Sequence, residues 1–366
     1  MHETALVLGC GIICAILWEA FETLVLPRTP VHRLRLTSLY YRATWRCWVL
    51  RARMHRSDRR RERFLAVYGP LSVIGLLTVW AAGLVAGFAL LQWSQRELLR
   101  NLPGDPHFFD DLYMSATTLF TLGLGDVMPT GRGGRLLVVA EASSSLMLLT
   151  MVFAYIPILY QSFCRREVRL TMLDAWAGSP PSATEILRRV AASGDVSHLD
   201  QFFADWEYWC SDVLESHLSY PAIAYFRSQH QRQSWVSALT TVLDVAALVK
   251  AGIDGVPSWR AHLAFAIARH AAVDLTQVLG EPAVQVEDRL PPHELGAVRR
   301  ELERAGLHLN ASPDADRELA ALRRSYEPYI VGLSNRLMMP VPYWRAADQR
   351  PDNWQTDPVR EGGPHF

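Results

Sequence analysis

The sequence predicts an all-α membrane protein in which helices cross a bilayer, a short helix and loop enter it and turn back, and a further helical domain lies outside it. Three observations predict this class. Phe64 to Trp93 carries no formal charge, Leu136 to Phe163 is charged only at Glu141, and between them lies a glycine-alternating ribbon. A hydrocarbon core ~30 Å thick is crossed by about 20 helical residues rising about 1.5 Å each, so either run suffices.

Taken in order, Ala5 to Leu26 is a first apolar stretch with Glu19 and Glu22 near its end. A signal peptide would carry a basic start and a small-residue cleavage site, whereas this start offers only His2 and Glu3. Residues 1–27 therefore read as a retained transmembrane helix, and Glu19 and Glu22 as partners for the arginines that follow. Residues 28–63 form a basic segment, with arginines from Arg28 to Arg63. Within it Val31 to Met54 interleaves Leu34, Leu36, Leu39, Tyr40, Trp45, Trp48 and Val49 with arginine, the pattern of an amphipathic helix in the headgroup region. A solvated basic linker is the competing reading.

These arginines suit anionic lipid headgroups. They lie outside the apolar runs, which argues against a voltage sensor, and directly against a membrane helix, which argues against nucleic acid. Positive loops stay cytoplasmic, so the N-terminus is expected outside and the second helix runs outward. The third then returns to Arg165, Arg166 and Arg169. The expectation is a multi-pass protein of the cell membrane, with three spans and a cytoplasmic C-terminus.

Between the second and third spans, Asp110 to Phe120 has an acidic start and Leu112, Tyr113, Ala116 and Leu119 at helical spacing. A short re-entrant helix there directs its partly negative C-terminal end into the membrane. Thr118 to Pro129 then reads T-L-F-T-L-G-L-G-D-V-M-P. Non-helical backbone at membrane depth must line a cavity. Alternating glycines tolerate positive φ and can turn successive carbonyls toward one axis, where they replace the water of a dehydrated cation.

The ribbon resembles the pore loop of potassium channels, T-x-x-T-V-G-Y-G-D, at Thr118, Thr121, Gly123, Gly125 and Asp126. Leu122 and Leu124 depart from that pattern. Leu124 replaces an aromatic residue whose hydroxyl braces the filter in that family, although the second pore loop of some two-pore-domain potassium channels is similar to T-I-G-L-G-D. The resemblance spans residues 64–166 as a pore domain of outer helix, pore helix, filter and inner helix. It implies a homotetramer passing K+ through carbonyls of Thr121, Leu122, Gly123, Leu124 and Gly125, with a Thr121 hydroxyl at the cavity end. K+ in the filter is the implied ion, and no organic cofactor is expected. The missing aromatic leaves a weakly selective K+/Na+ channel as an alternative, and a non-conducting sensor or scaffold as another.

Around the filter, Asp126 sits at the outer mouth, either as part of a ring of carboxylates that concentrates cations or as a hydrogen-bond partner behind the filter. Glu141, an ionisable group inside a membrane helix, is either a structural hydrogen-bonding group behind the filter or a proton-sensitive gate. The resemblance implies a glycine hinge midway along the inner helix. Ser145 stands near that point instead, and Pro157 offers either a gating kink or a static one.

Half of the 366 residues are hydrophobic, and 37 basic residues balance 37 acidic ones, enough for a membrane unit plus one further domain. Gly178 to Pro181 marks the exit, and Ser182 with Glu185 makes a helix-capping S-x-x-E. Residues 167–340 carry helical apolar spacing, including Leu199, Phe202, Phe203, Trp206 and Trp209, and read as a helical cytosolic domain. Asp244 and Lys250 mark the Trp235 to Val249 stretch as a core helix instead of a fourth span. Arg317 to Met338 reads as a last helix, and residues 341–366 as a mobile tail.

The five cysteines show no paired or metal-binding spacing and read as reduced packing residues. Asp205, Glu207, Asp212, Glu215, His217 and His230 include metal-capable side chains without a ligand spacing. No phosphate loop, nucleophile elbow, zinc-protease motif or dinucleotide fingerprint occurs, so no enzyme is expected.

Overall fold

A chain with such long uncharged runs has few ways to satisfy its backbone except as helix, and helix dominates the computed structural model. The structure describes residues 2–26, 35–95, 99–100, 107–178, 180–228, 233–280, 283–285 and 287–345. Arg28, Arg33, the Ser179 position of the exit segment, His230 and the tail from residue 346 lie outside the described residues. The chain divides into two units, one ending at Tyr160 and the other starting at Gln161.

In the first unit, α1 (His2–Leu24) lies along α3 (Asp58–Ser94). Glycines bring them together: a Cβ on Gly9 would stand 2.7 Å from the carbonyl oxygen of Gly87, and one on Gly83 would meet Ile16 at 2.9 Å. Such small-residue seams let helices approach where lipid offers no hydrophobic drive for association. The basic segment contains a formed helix, α2 (Leu36–Ala52), whose Trp45 packs on Tyr68 and whose Trp48 stacks on Phe64 at 4.5 Å. Trp48 Nε1 also donates to the Phe64 carbonyl at 3.1 Å. Arg35 pairs with Glu22 at 3.1 Å and lies 3.7 Å from Glu19.

The helix limits differ from the apolar limits. α3 begins at Asp58, ahead of Phe64, because arginines are good helix formers and Asp58 pairs with Arg61 at 2.8 Å within the first turn. A short helix, α4 (Phe108–Leu119), follows, and β1 (Leu99–Arg100) pairs antiparallel with β2 (Met128–Pro129) across the α4 loop. α5 (Gly131–Ala177) then continues far past Phe163 and through Pro157 without interruption. Its hydroxyls turn inward on their own backbone: Ser143, Ser144, Ser145 and Thr150 each donate to the carbonyl four residues back at 2.7–2.8 Å. That satisfies them without water.

The second unit begins inside α5, earlier than the 166/167 division expected. Arg166 is fully buried among carbonyls of this unit, donating to Ile223 O at 3.2 Å and Phe226 O at 2.7 Å. The unit continues with α6 (Ala183–Ala192), α7 (His198–Ser219), a 3-10 turn (Pro221–Tyr225), α8 (Trp235–Gly252), α9 (Trp259–Val278), α10 (Pro292–Arg304), α11 (Pro313–Arg324) and α12 (Glu327–Leu337). Ser182 caps α6 by accepting from the Glu185 amide. α8 is long and apolar enough to cross a membrane, yet it is buried along nearly its whole length inside this unit.

Two expectations are corrected here. The helix expected from Arg317 to Met338 is two, α11 and α12, because the ring of Pro328 would collide with the carbonyl four residues back in a continuous helix. The tail expected from residue 341 is docked at its start. Arg289 donates to Pro342 O at 2.9 Å, the Trp344 ring lies 5.6 Å from both the Arg289 and Arg323 guanidinium carbons, and Trp344 O accepts from Thr184 Oγ1 at 2.9 Å. These arginines are held in turn by Asp244, Asp288 and Glu327. All five cysteines are free; Cys210 is buried, Cys164 partly so, and Cys10, Cys14 and Cys47 are exposed in the single chain.

Candidate ion-conduction site

α4 is started by its own acids. His107 N donates to Asp110 Oδ2 at 2.8 Å, closing the first turn. Its end is closed by backbone alone: Leu122 N donates to Thr117 O at 2.8 Å and Thr121 N to Thr118 O at 3.0 Å. This pair of bonds is a Schellman cap, which needs a left-handed residue at the position Thr121 holds, usually glycine. Thr121 adopts it with φ 57°. A β-branched residue there is a genuine outlier, since left-handed backbone crowds its Cβ.

The ribbon continues that geometry beyond the cap. Gly123 has φ 53° and Gly125 φ 79°, while Leu122 and Leu124 do not have positive φ. Every second residue from Thr121 to Gly125 is thus left-handed. An alternation of handedness turns successive carbonyls to a common side, whereas an ordinary strand sends them to opposite sides. The whole ribbon is exposed in the single chain, with Leu122 at 60% and Leu124 at 64%.

Asp126 closes the ribbon. Tyr113 Oη on α4 donates to Asp126 Oδ2 at 2.8 Å, and Val127 N donates to Oδ1 at 3.0 Å. The tyrosine hydroxyl holds the Asp126 carboxyl below the usual carboxylate range. Leu124 has no hydroxyl to brace the loop, but Tyr113 braces it from α4 through Asp126.

Glu141 is fully buried on α5. Its Oε1 meets Ser115 Oγ on α4 and its Oε2 accepts from Gln92 Nε2 on α3 at 3.1 Å. Ser115 Oγ also lies 3.0 Å from Val85 O on α3. Ser145, one turn along α5, donates to the Glu141 carbonyl at 2.8 Å, and Pro157 lies within the same unbroken helix. Sequence reasoning passed over Gln92 and Ser115 as contact residues. The one signal for Gln92 was that it is the only amide side chain in the Phe64–Trp93 run.

The metal-capable cluster is dispersed into pairs: Asp205 with Arg169 at 3.1 Å, Asp212 with Arg165 at 3.4 Å and Glu207 with Arg260 at 3.7 Å. Among the described residues no group of three or more His, Cys, Asp or Glu could hold a metal ion.

Long apolar helices thus stand on either side of a short helix and an alternating ribbon. Residues 75–162 match the family described as ion channel. Among curated proteins the chain is similar to YdjJ of Bacillus subtilis (strain 168), an uncharacterized membrane protein, at 23% identity over 194 residues. That alignment takes in 52% of this chain and 56% of the relative, so the chain spans a little over half of the curated protein it matches. No solved structure matches.

Proposed function

We propose that this protein is a potassium-selective channel, a homotetramer in which four copies of Thr121 to Gly125 surround one axis and their carbonyls replace the hydration shell of K+. The observation that carries this reading is the left-handed backbone at Thr121, Gly123 and Gly125 in alternation with Leu122 and Leu124. A cap alone accounts for Thr121 but not for the two repeats that follow it. Exposed leucines on the ribbon and a largely unburied α5 add weight, since one chain supplies a quarter of a ring and leaves its inward faces for symmetry mates. Asp126 then stands at the outer mouth, Glu141 and Ser145 behind the filter, and Pro157 toward the inner end of α5.

On this reading the arginine-rich stretch from Arg28 to Arg63 faces the cytoplasm and anionic headgroups, the N-terminus is outside, and residues 167–340 form a cytosolic domain. Charge asymmetry supports that orientation. Leu124 supports a second reading, a weakly selective K+/Na+ channel, because the residue lacks the aromatic hydroxyl. The test is the reversal potential of the purified protein in a planar bilayer under opposed K+ and Na+ gradients. A value near the K+ equilibrium potential is expected. A value near zero overturns selectivity in favour of the second reading, and absence of current from intact tetramers overturns conduction.

A further inference from the structure

The contacts of Ser115 do not add up with its own proton. A hydroxyl owns one, yet Ser115 Oγ lies within hydrogen-bond reach of two oxygens, Val85 O at 3.0 Å and Glu141 Oε1. Ser115 and Glu141 are fully buried and Gln92 nearly so. Gln92 supplies a proton to Oε2 of Glu141, not to Oε1. If Glu141 were a carboxylate, one of the two contacts at Ser115 would set lone pair against lone pair, away from water.

A carboxylic acid removes the conflict. Glu141 O–H donates to Ser115 Oγ, Ser115 O–H donates to Val85 O, and Gln92 N–H donates to Glu141 Oε2, so each proton has one acceptor. We infer that Glu141 is a positioning residue held as the neutral acid. It closes a relay from α5 through Ser115 on the pore helix to Val85 and Gln92 on α3, and so fixes the height of the filter. The link to the ribbon is short: Thr117, two residues after Ser115, provides the carbonyl that holds the Leu122 amide at 2.8 Å. Movement of α4 therefore moves the first left-handed residue of the ribbon. This inference deepens the channel reading and rests on it for its functional consequence.

The test uses full-length tetramers, checked by size-exclusion chromatography, in bilayers and by infrared spectroscopy. Glu141→Gln keeps a donor toward Ser115 and an acceptor toward Gln92, and is expected to hold the wild-type K+/Na+ permeability ratio. Glu141→Leu and Ser115→Ala break the relay and are expected to lower that ratio by about tenfold, the worth of one hydrogen bond. Infrared spectra of the wild type should carry a protonated-carboxyl C=O band that Glu141→Gln abolishes. Equal loss in Glu141→Gln and Glu141→Leu overturns the inference, since a carboxylate would then be needed. Wild-type ratios in Glu141→Leu and Ser115→Ala overturn it too. Lack of current in the wild type would instead count against the channel reading, and the infrared band would still decide the protonation state.

Discussion

Arg166 Nη2 donates to the carbonyl oxygen of Phe226 at 2.7 Å, and the same guanidinium reaches Ile223 O and His217 Nε2, each at 3.2 Å. A side chain late in α5 thereby satisfies two carbonyls in the chain that follows α7, without water. Replacing Arg166 by Met leaves those acceptors buried and unpaired. The second unit should lose roughly 3 kcal/mol of stability, as seen when one partner of a buried charged network is removed. Arg166→Lys should recover little, because an ammonium cannot present two N–H directions in one plane. Chemical denaturation in detergent, followed by fluorescence of buried Trp209 and Trp235, measures both.

His217 gives the unit a sensitivity to acid. Its Nδ1 lies 2.8 Å from Val213 O, which assigns the proton there and leaves Nε2 as the acceptor for Arg166. Burial, and then the Arg166 charge, hold its pKa well below the ordinary value. The unfolded chain binds a proton near pH ~6.5 and the folded one does not, so this contribution is complete above about pH 6.5 and declines as pH falls below it. The expected slope is about 1.4 kcal/mol per pH unit. Melting curves between neutral and acidic pH should show it in the wild type and show less of it in His217→Gln.

On the proposed channel reading, Gly123→Ala and Gly125→Ala should each abolish K+ flux in liposomes without changing the assembly seen for the wild type. In the single chain nothing lies within 4 Å of a Cβ built at either position. The penalty is therefore one of backbone conformation, about 1 kcal/mol per copy, relieved by rotating a carbonyl away from the axis.

On the proposed channel reading, Tyr113→Phe should leave the fold intact and move the acid response of the current through Asp126. Loss of the 2.8 Å bond lets the Asp126 carboxyl return toward its ordinary value near ~3.9. The carboxylate then accepts a proton at higher pH, so external acidification should reduce K+ current earlier in the variant than in the wild type. Current recorded against external pH decides it.

The seam between α1 and α3 makes a structural prediction. A Cβ on Gly87 would meet Ile13 Cγ1 at 2.7 Å and Gly9 O at 3.3 Å, whereas nothing lies within 4 Å of one on Gly11. Gly87→Leu should destabilise the first unit by about 1–3 kcal/mol by separating the helices, and Gly11→Leu should be close to neutral. Thermal unfolding in detergent compares the two.

The long apolar helices and the glycine-alternating ribbon between them were legible because an uncharged run and a glycine spacing are both local in sequence. Glu141 could be flagged by the same rule, as a charge in an apolar run. Its partners could not: Ser115 and Gln92 come from other helices, and a serine or glutamine carries no periodic signal. Helix ends were legible only where a cap or proline writes them, as at Ser182. The extension of α3 back to Asp58 and of α5 on to Ala177 was hidden because arginine ends an apolar run without ending a helix. Pro328 was a readable stop inside the last helical pattern, overridden by the apolar spacing around it.

α2 has no side-chain cap of its own at Arg35, and its first amides are taken by another helix: Thr37 N donates to Glu19 Oε1 at 2.9 Å and Leu36 N to Glu19 Oε2 at 3.3 Å. Translation makes Glu19 before it makes α2, so the carboxylate that starts the second helix is already present when that helix leaves the ribosome. Without Glu19 those two amides would have only water to bond, so the start of α2 is written in the sequence of α1.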